Sequence, residues 1–110
     1  MVLTPVVCSA QRQRDLERQT LPDSLSRTYR HAEAIKRLKI EGDTAAAYDI
    51  WQSIIAEDST YAPALYYLHV LEDDLIESLD YSRRAYAADT TNKWYAKGYA
   101  TSLISARKYS

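Results

Sequence analysis

Apolar residues recur at steps of three and four along most of the chain, and each run stops at a cluster of turn formers. Leu25, Tyr29, Ala32, Ile35 and Leu38 form the first run, which predicts a helix over 24–41. Pro22, Asp23 and Ser24 start it with a fixed φ and side chains that accept from free backbone N–H groups. Gly42 ends it, because glycine adopts the left-handed conformation favoured at helix C-termini, and Asp43 or Thr44 can cap the next helix. Ala47, Tyr48, Trp51, Ile54 and Ile55 predict that second helix over 44–57, with Trp51 buried. Ala62, Leu65, Tyr66 and Leu68 predict a third over 62–71. Leu75, Ile76, Leu79, Ala85 and Tyr86 predict a fourth over 74–88, with the acids of 72–74 at its positive N-terminal end. Asn92 caps a fifth over 93–106, carrying Trp94, Tyr95, Tyr99, Leu103 and Ile104.

The pattern repeats. Ala56-Glu57-Asp58-Ser59-Thr60-Tyr61 is echoed by Ala87-Ala88-Asp89-Thr90-Thr91-Asn92, with Asp89 in the place of Asp58. Self-similarity at such an interval is the sign of a solenoid, in which each helical hairpin buries its apolar face only against its neighbours.

Composition narrows the class to all-α. Two glycines and three prolines leave few hairpin turns, and 46% hydrophobic residues suffice for a core. Ten Tyr and two Trp with no Phe give many rings whose polar ends need partners or water. The net charge of −1 is uneven: residues 1–40 hold eight Lys/Arg against four Asp/Glu, and 41–110 hold six against eleven. Bases and acids are interspersed, so solvated helix faces are expected and not a nucleic-acid surface. Cys8 stands alone, which permits no internal disulfide and no cysteine metal cluster.

Residues 1–21 stand apart from a helical domain over 22–110. MVLTPVVCSA is apolar and small, and its Ser-Ala end before Gln11 fits the tail of a secretory signal, while the missing basic start and the short apolar run leave a plain disordered terminus or a lipid anchor at Cys8 open. A signal remnant would place the protein in the periplasm or outside the cell, and its absence in the cytoplasm. No other segment is apolar enough to span a bilayer.

The chain from Thr28 to Ser110 resembles tetratricopeptide repeats, helix-turn-helix units whose length is about 34 residues. Ala47 followed by Trp51 stands where that family has Ala and then a large aromatic. Gly42-Asp43 matches its inter-helix turn, Ile54-Ile55-Ala56-Glu57-Asp58 matches its usual ending, and Thr28 to Ala62 has the family length. The second unit departs from the pattern: it runs only from Ala62 to Lys93, with Ser78 and Ser82 at the small and aromatic positions and His69 where a small residue is usual. The resemblance implies an α-solenoid of antiparallel helical hairpins, about two and a half repeats, forming the N-terminal part of a longer bacterial repeat protein.

Catalytic constellations are absent from the sequence. Two glycines make no phosphate-cradling loop, and His31 and His69 have no acid or nucleophile at a recognisable spacing. No cofactor or metal site is expected. The resemblance implies a non-enzymatic scaffold whose first helix in each pair lines a concave surface for a protein or peptide. On this chain that surface comprises Tyr29, Lys36, Lys39, Tyr66, Val70, Trp94, Lys97 and Thr101, and aromatics beside lysines suit an extended peptide with acidic residues or a free carboxylate. The other reading is a regulatory or sensory segment of a larger protein whose chemistry lies beyond residue 110. Tyr95, Tyr99, Leu103 and Ile104 further predict an apolar face on the last helix through which the chain self-associates or meets a covering helix.

Overall fold

The computed structural model describes residues 23–109, and the leader readings of residues 1–21 lie outside them. Five helices occur in order: α1 Asp23–Lys39, α2 Thr44–Glu57, α3 Ala62–Leu71, α4 Leu75–Ala88 and α5 Lys93–Tyr109. No strand occurs among the described residues. The expected boundaries hold to within three residues, because their stop signals act locally. Gly42 sits at φ +67°, and the Asp43 N–H reaches across it to the Arg37 carbonyl at 2.8 Å. Asp43 then accepts from Ala46 N at 3.0 Å, Asp74 from Ile76 N at 2.9 Å and Asn92 from Trp94 N at 2.9 Å. Each of these caps satisfies a donor that the first helical turn leaves open. Asp74 also shows the role of the 72–74 acids, which start α4 as expected.

Loops of three or four residues fold each helix back on the last. The Arg27 guanidinium near the start of α1 pairs with Asp58 just past the end of α2, and Tyr48 near the start of α2 donates to Glu72 just past the end of α3. Side-chain contacts also join alternate helices. His31 of α1 meets Tyr67 of α3, and Tyr66 of α3 meets Tyr95 of α5, while Gln52 of α2 donates to the Tyr81 hydroxyl of α4 at 2.8 Å. Odd-numbered helices thus share one side and even-numbered helices the other.

The core lies among α1, α2 and α3, where Ala34, Ala47, Trp51, Ile54, Ala64 and Leu68 are fully buried. Three alanines let the helices approach closely, and Trp51 fills the space between them. Two expected faces are rotated. Leu25 is 52% exposed and Ala32 is exposed, because α1 turns Ala34 inward with Ile35 and Leu38 packed beside it. Ile76 is 74% exposed and Leu75 is exposed, because α4 buries Ser78, Ser82 and Ala85. In α4 small residues take the inner face, whereas in α1 Ala34 shares it with Ile35 and Leu38.

Candidate functional site

Rings from three helices meet on the odd-helix side. Tyr67 stacks on Trp51 with centroids 4.6 Å apart and planes 9° apart, so the buried indole backs it firmly. Tyr66 stands edge-on to Tyr67 at 5.7 Å, and Tyr95 lies against Tyr66 at 5.5 Å. His31 closes the other end at 5.6 Å from Tyr67 and 6.2 Å from Tyr61. Adjacent residues on α3, Tyr66 and Tyr67 point about 100° apart around the helix, one toward α5 and one toward α1 and α2.

Burial raises the Tyr95 phenol pKa, and the Asp89 carboxylate and the phenols of Tyr61, Tyr66 and Tyr67 push it the same way. Ring contacts link these four tyrosines in turn, Tyr61 through His31 to Tyr67, then Tyr66 and Tyr95. Among the described residues none of the four has a hydrogen-bond partner, and none is sealed from solvent. Cations flank the row: Lys39 Nζ lies 6.0 Å from the Tyr67 ring centre and Lys97 Nζ 5.9 Å from that of Trp94.

Beneath the row two histidines tie the helices together. Trp51 Nε1 can only donate, so at 2.9 Å His31 Nδ1 must be its acceptor and the imidazole carries its proton on Nε2. Burial holds the His31 pKa below its ordinary value. His69 Nδ1 lies 2.8 Å from Ser78 Oγ and 3.2 Å from Ser102 Oγ, which joins α3 to α4 and α5. Ser78 gives its hydroxyl proton to the His69 carbonyl at 2.9 Å, so the ring donates to the serine. Burial lowers the His69 pKa, outweighing the opposing hydrogen bond at Ser78. Gly98 makes the approach possible, since a Cβ there would stand 3.2 Å from His69 Nε2.

On the even-helix side, Gln52 donates to the hydroxyls of Tyr48 and Tyr81, and Tyr48 donates to Glu72 at 3.0 Å. Burial first, and the Glu72 contact second, push the Tyr48 phenol up to about 12. No group of three or more potential metal ligands gathers among the described residues. None of their helices is long and apolar enough to cross a membrane.

The eight residues named from the sequence divide. Tyr66 stands in the row, Lys39 flanks it, and Lys97 is paired with Trp94, which is 65% exposed. Lys36, Val70 and Thr101 are exposed, and among the described residues no ring contact or ion pair joins them to the row. Tyr29 lines a shallow groove between α1 and α2 with Arg30, Glu33, Arg37, Ile50 and Ser53, to which α3 and α5 contribute nothing. Sequence reasoning does not reach Tyr61 and Tyr67, and it places Tyr95 on an apolar face of the last helix without joining it to Tyr66. Their spacing signals only apolar faces, although ten tyrosines without a phenylalanine point to exposed phenol ends. On α5 the expected apolar face is narrower: Leu103 and Ile104 are exposed, whereas Tyr95 packs on Tyr66 and Tyr99 on Tyr86. No family model, no curated protein and no solved structure matches this chain.

Proposed function

We propose that this chain is a non-enzymatic helical-repeat module that holds an extended peptide or protein segment across α1, α3 and α5. The observation that carries this reading is the row from Tyr67 through Tyr66 to Tyr95, whose three hydroxyls have no hydrogen-bond partner among the described residues. Rigid phenol rings offer apolar contact at low entropic cost, and their free hydroxyls can bond a peptide backbone. The repeat reading is supported by the two turns after α2 and α4. Asp58 Oδ1 accepts from Thr60 N and Oγ1 at 3.1 and 2.8 Å, and Asp89 Oδ1 from Thr91 N and Oγ1 at 3.2 and 2.7 Å. One turn chemistry recurring after both even-numbered helices is what a tetratricopeptide-like solenoid of antiparallel hairpins would require.

The test is selection of peptides from a random display library on the purified chain, followed by mapping of the selected peptides on its amide NMR spectrum. Enriched peptides should shift resonances of Tyr61, Tyr66, Tyr67 and Tyr95, and Tyr66→Ala with Tyr95→Ala should weaken them at least about tenfold, the loss of a central aromatic anchor. Enrichment of nothing, or a footprint confined to the Tyr29 groove, overturns the proposal.

A further inference from the structure

We infer that the open face of α5 pairs with the same face of a second copy of this chain in an antiparallel, two-fold arrangement, a contact independent of any peptide held by the tyrosine row. Trp94, Lys97, Thr101 and Ile104 follow one another at steps of three, four and three, which sets them in one stripe on the helix. All four are exposed, Trp94 to 65% and Ile104 to 70%. Tyr66 of α3 packs on Tyr95 of α5, and Val70, one turn further along α3, is 54% exposed at the level of the centre of the stripe.

Charge names the occupant. α5 holds Lys93, Lys97, Arg107 and Lys108 and no acid. Arginines of α1 and α4 pair with acids inside the fold, as Arg30 does with Glu57 and Arg84 with Asp80. Lys93 and Lys97 make no ion pair among the described residues, and neither do Glu72, Asp73, Asp74 and Glu77, which gather where α3 turns into α4. Both lysines are exposed, and so are Asp73, Asp74 and Glu77.

The positions of the two patches fit a two-fold contact. α3 and α5 run in the same direction, with Tyr66 against Tyr95 and His69 against Ser102, so the acids that follow α3 lie level with the second half of α5. Lys93 and Lys97 stand in its first two turns, and Lys97 lies about 10 Å back along the axis from Ile104, too far to meet the acids of its own chain. Set antiparallel about Thr101, Lys97 of one copy comes level with residue 105 of the other, and hence with its acids. The same relation returns with the copies exchanged, as a two-fold axis demands, and Ile104 of each lies along the aliphatic stem of the other's Lys97. A parallel pairing would set lysines against lysines, and like charges in apposition oppose association. Because the charge pairs stay exposed and the patch is small, the contact forms only at high concentration.

The test is sedimentation of the full chain at rising concentration. A dimer should appear by about 1 mM and weaken severalfold between low and moderate salt. Lys93→Glu with Lys97→Glu, and separately Asp73→Lys with Glu77→Lys, should each stay monomeric, because each variant sets like charges opposite one another. An equal mixture of the two variants should dimerise again, since both contacts then join opposite charges. All four altered side chains are exposed, so helix content by circular dichroism should be unchanged. A wild-type chain that stays monomeric, or variants that dimerise as the wild type does, would overturn the pairing. Complexes that grow beyond two copies would overturn it in favour of head-to-tail stacking. Capture of a monomer by anionic phospholipid vesicles, lost with the two lysines, would overturn it by assigning the face to a membrane surface.

Discussion

The helix pairs α2–α3 and α4–α5 have the same turn and opposite interiors. The shift that superimposes Asp58 on Asp89 also carries Ala47 to Ser78, Trp51 to Ser82 and Ile54 to Ala85, and all six of these are buried. In the first pair a buried indole fills the space and stacks on Tyr67. In the second, Ser82 stands in its place and Ser78 in that of Ala47, and Ser82 gives its hydroxyl to the Leu79 carbonyl of its own helix at 2.9 Å. His69, from α3, meets Ser78 of α4 and Ser102 of α5 through its Nδ1. The backbone arrangement therefore obeys the caps and the turn. Interior filling decides how much each pair contributes to stability, with the apolar pair serving as the frame and the polar pair carrying part of the tyrosine surface.

The largest expected effect is at Trp51. Trp51→Ala should cost roughly 3 to 5 kcal/mol in urea unfolding, the usual loss for emptying a core aromatic site, because it also strips His31 Nδ1 of its donor. Ser82→Ala, at the equivalent place in the other pair, should stay within about 0.5 kcal/mol, since a serine bonded back to its own helix gains little over alanine. Equal losses at the two positions would abolish the distinction between frame and face.

The two turns should behave alike. Asp58→Ala and Asp89→Ala each remove a carboxylate that accepts from a threonine two residues on, and each should cost about 1 kcal/mol. Asp58 carries the additional Arg27 pair, whose half-open setting adds little. A difference above about 1 kcal/mol between the two variants, more than such a surface pair supplies, would show that the turns are not equivalent.

Acid should have the mildest effect. Burial lowers the pKa of both histidines from the ordinary 6.5, so the native chain binds fewer protons than the unfolded chain as the pH falls below that value. This part of the stability is complete above pH 6.5 and is lost as the pH falls through the native pKa values. Melting temperature should decline over that window, and His31→Gln should flatten part of the decline, because a glutamine oxygen can accept from Trp51 at any pH. A second loss belongs lower. Hydrogen bonds from Thr60 hold the Asp58 carboxyl below its ordinary range, and those from Arg83 do so for Asp80, so their contribution disappears only below about pH 4. A melting temperature that rises on acidification from neutral pH to about pH 5 would contradict the assignment of His31 as an acceptor.

Local chemistry is legible in the sequence and distant contact is not. Gly42, Asp43, Asp74 and Asn92 mark helix ends through bonds that span a few residues, so the helices can be read almost to their termini. Periodicity misplaces the inner faces of α1 and α4, because Leu25, Leu75 and Ile76 are apolar yet exposed while Ala34, Ser78 and Ser82 are small enough to lie inside. At the surface, the first-helix argument names Tyr66, Lys39 and Tyr29 together, whereas Tyr29 lines the groove between α1 and α2, a contact that the helical period does not encode. The bond from Trp51 to His31 crosses 20 residues and that from Ser102 to His69 crosses 33, separations that no helical period encodes.

Amide hydrogen exchange on the free chain tests most directly the claim that α2 and α3 form the frame while α4 and α5 present a softer face. Stability in a stack of helical pairs is distributed by local interior packing, so protection should vary along the chain. The slowest amides should fall in α2 and α3 around Trp51 and Leu68, and α5 should exchange at least about tenfold faster. Equal protection of α5 and α2 would contradict the account and show that the serine and histidine interior holds its helices as firmly as the indole holds its own.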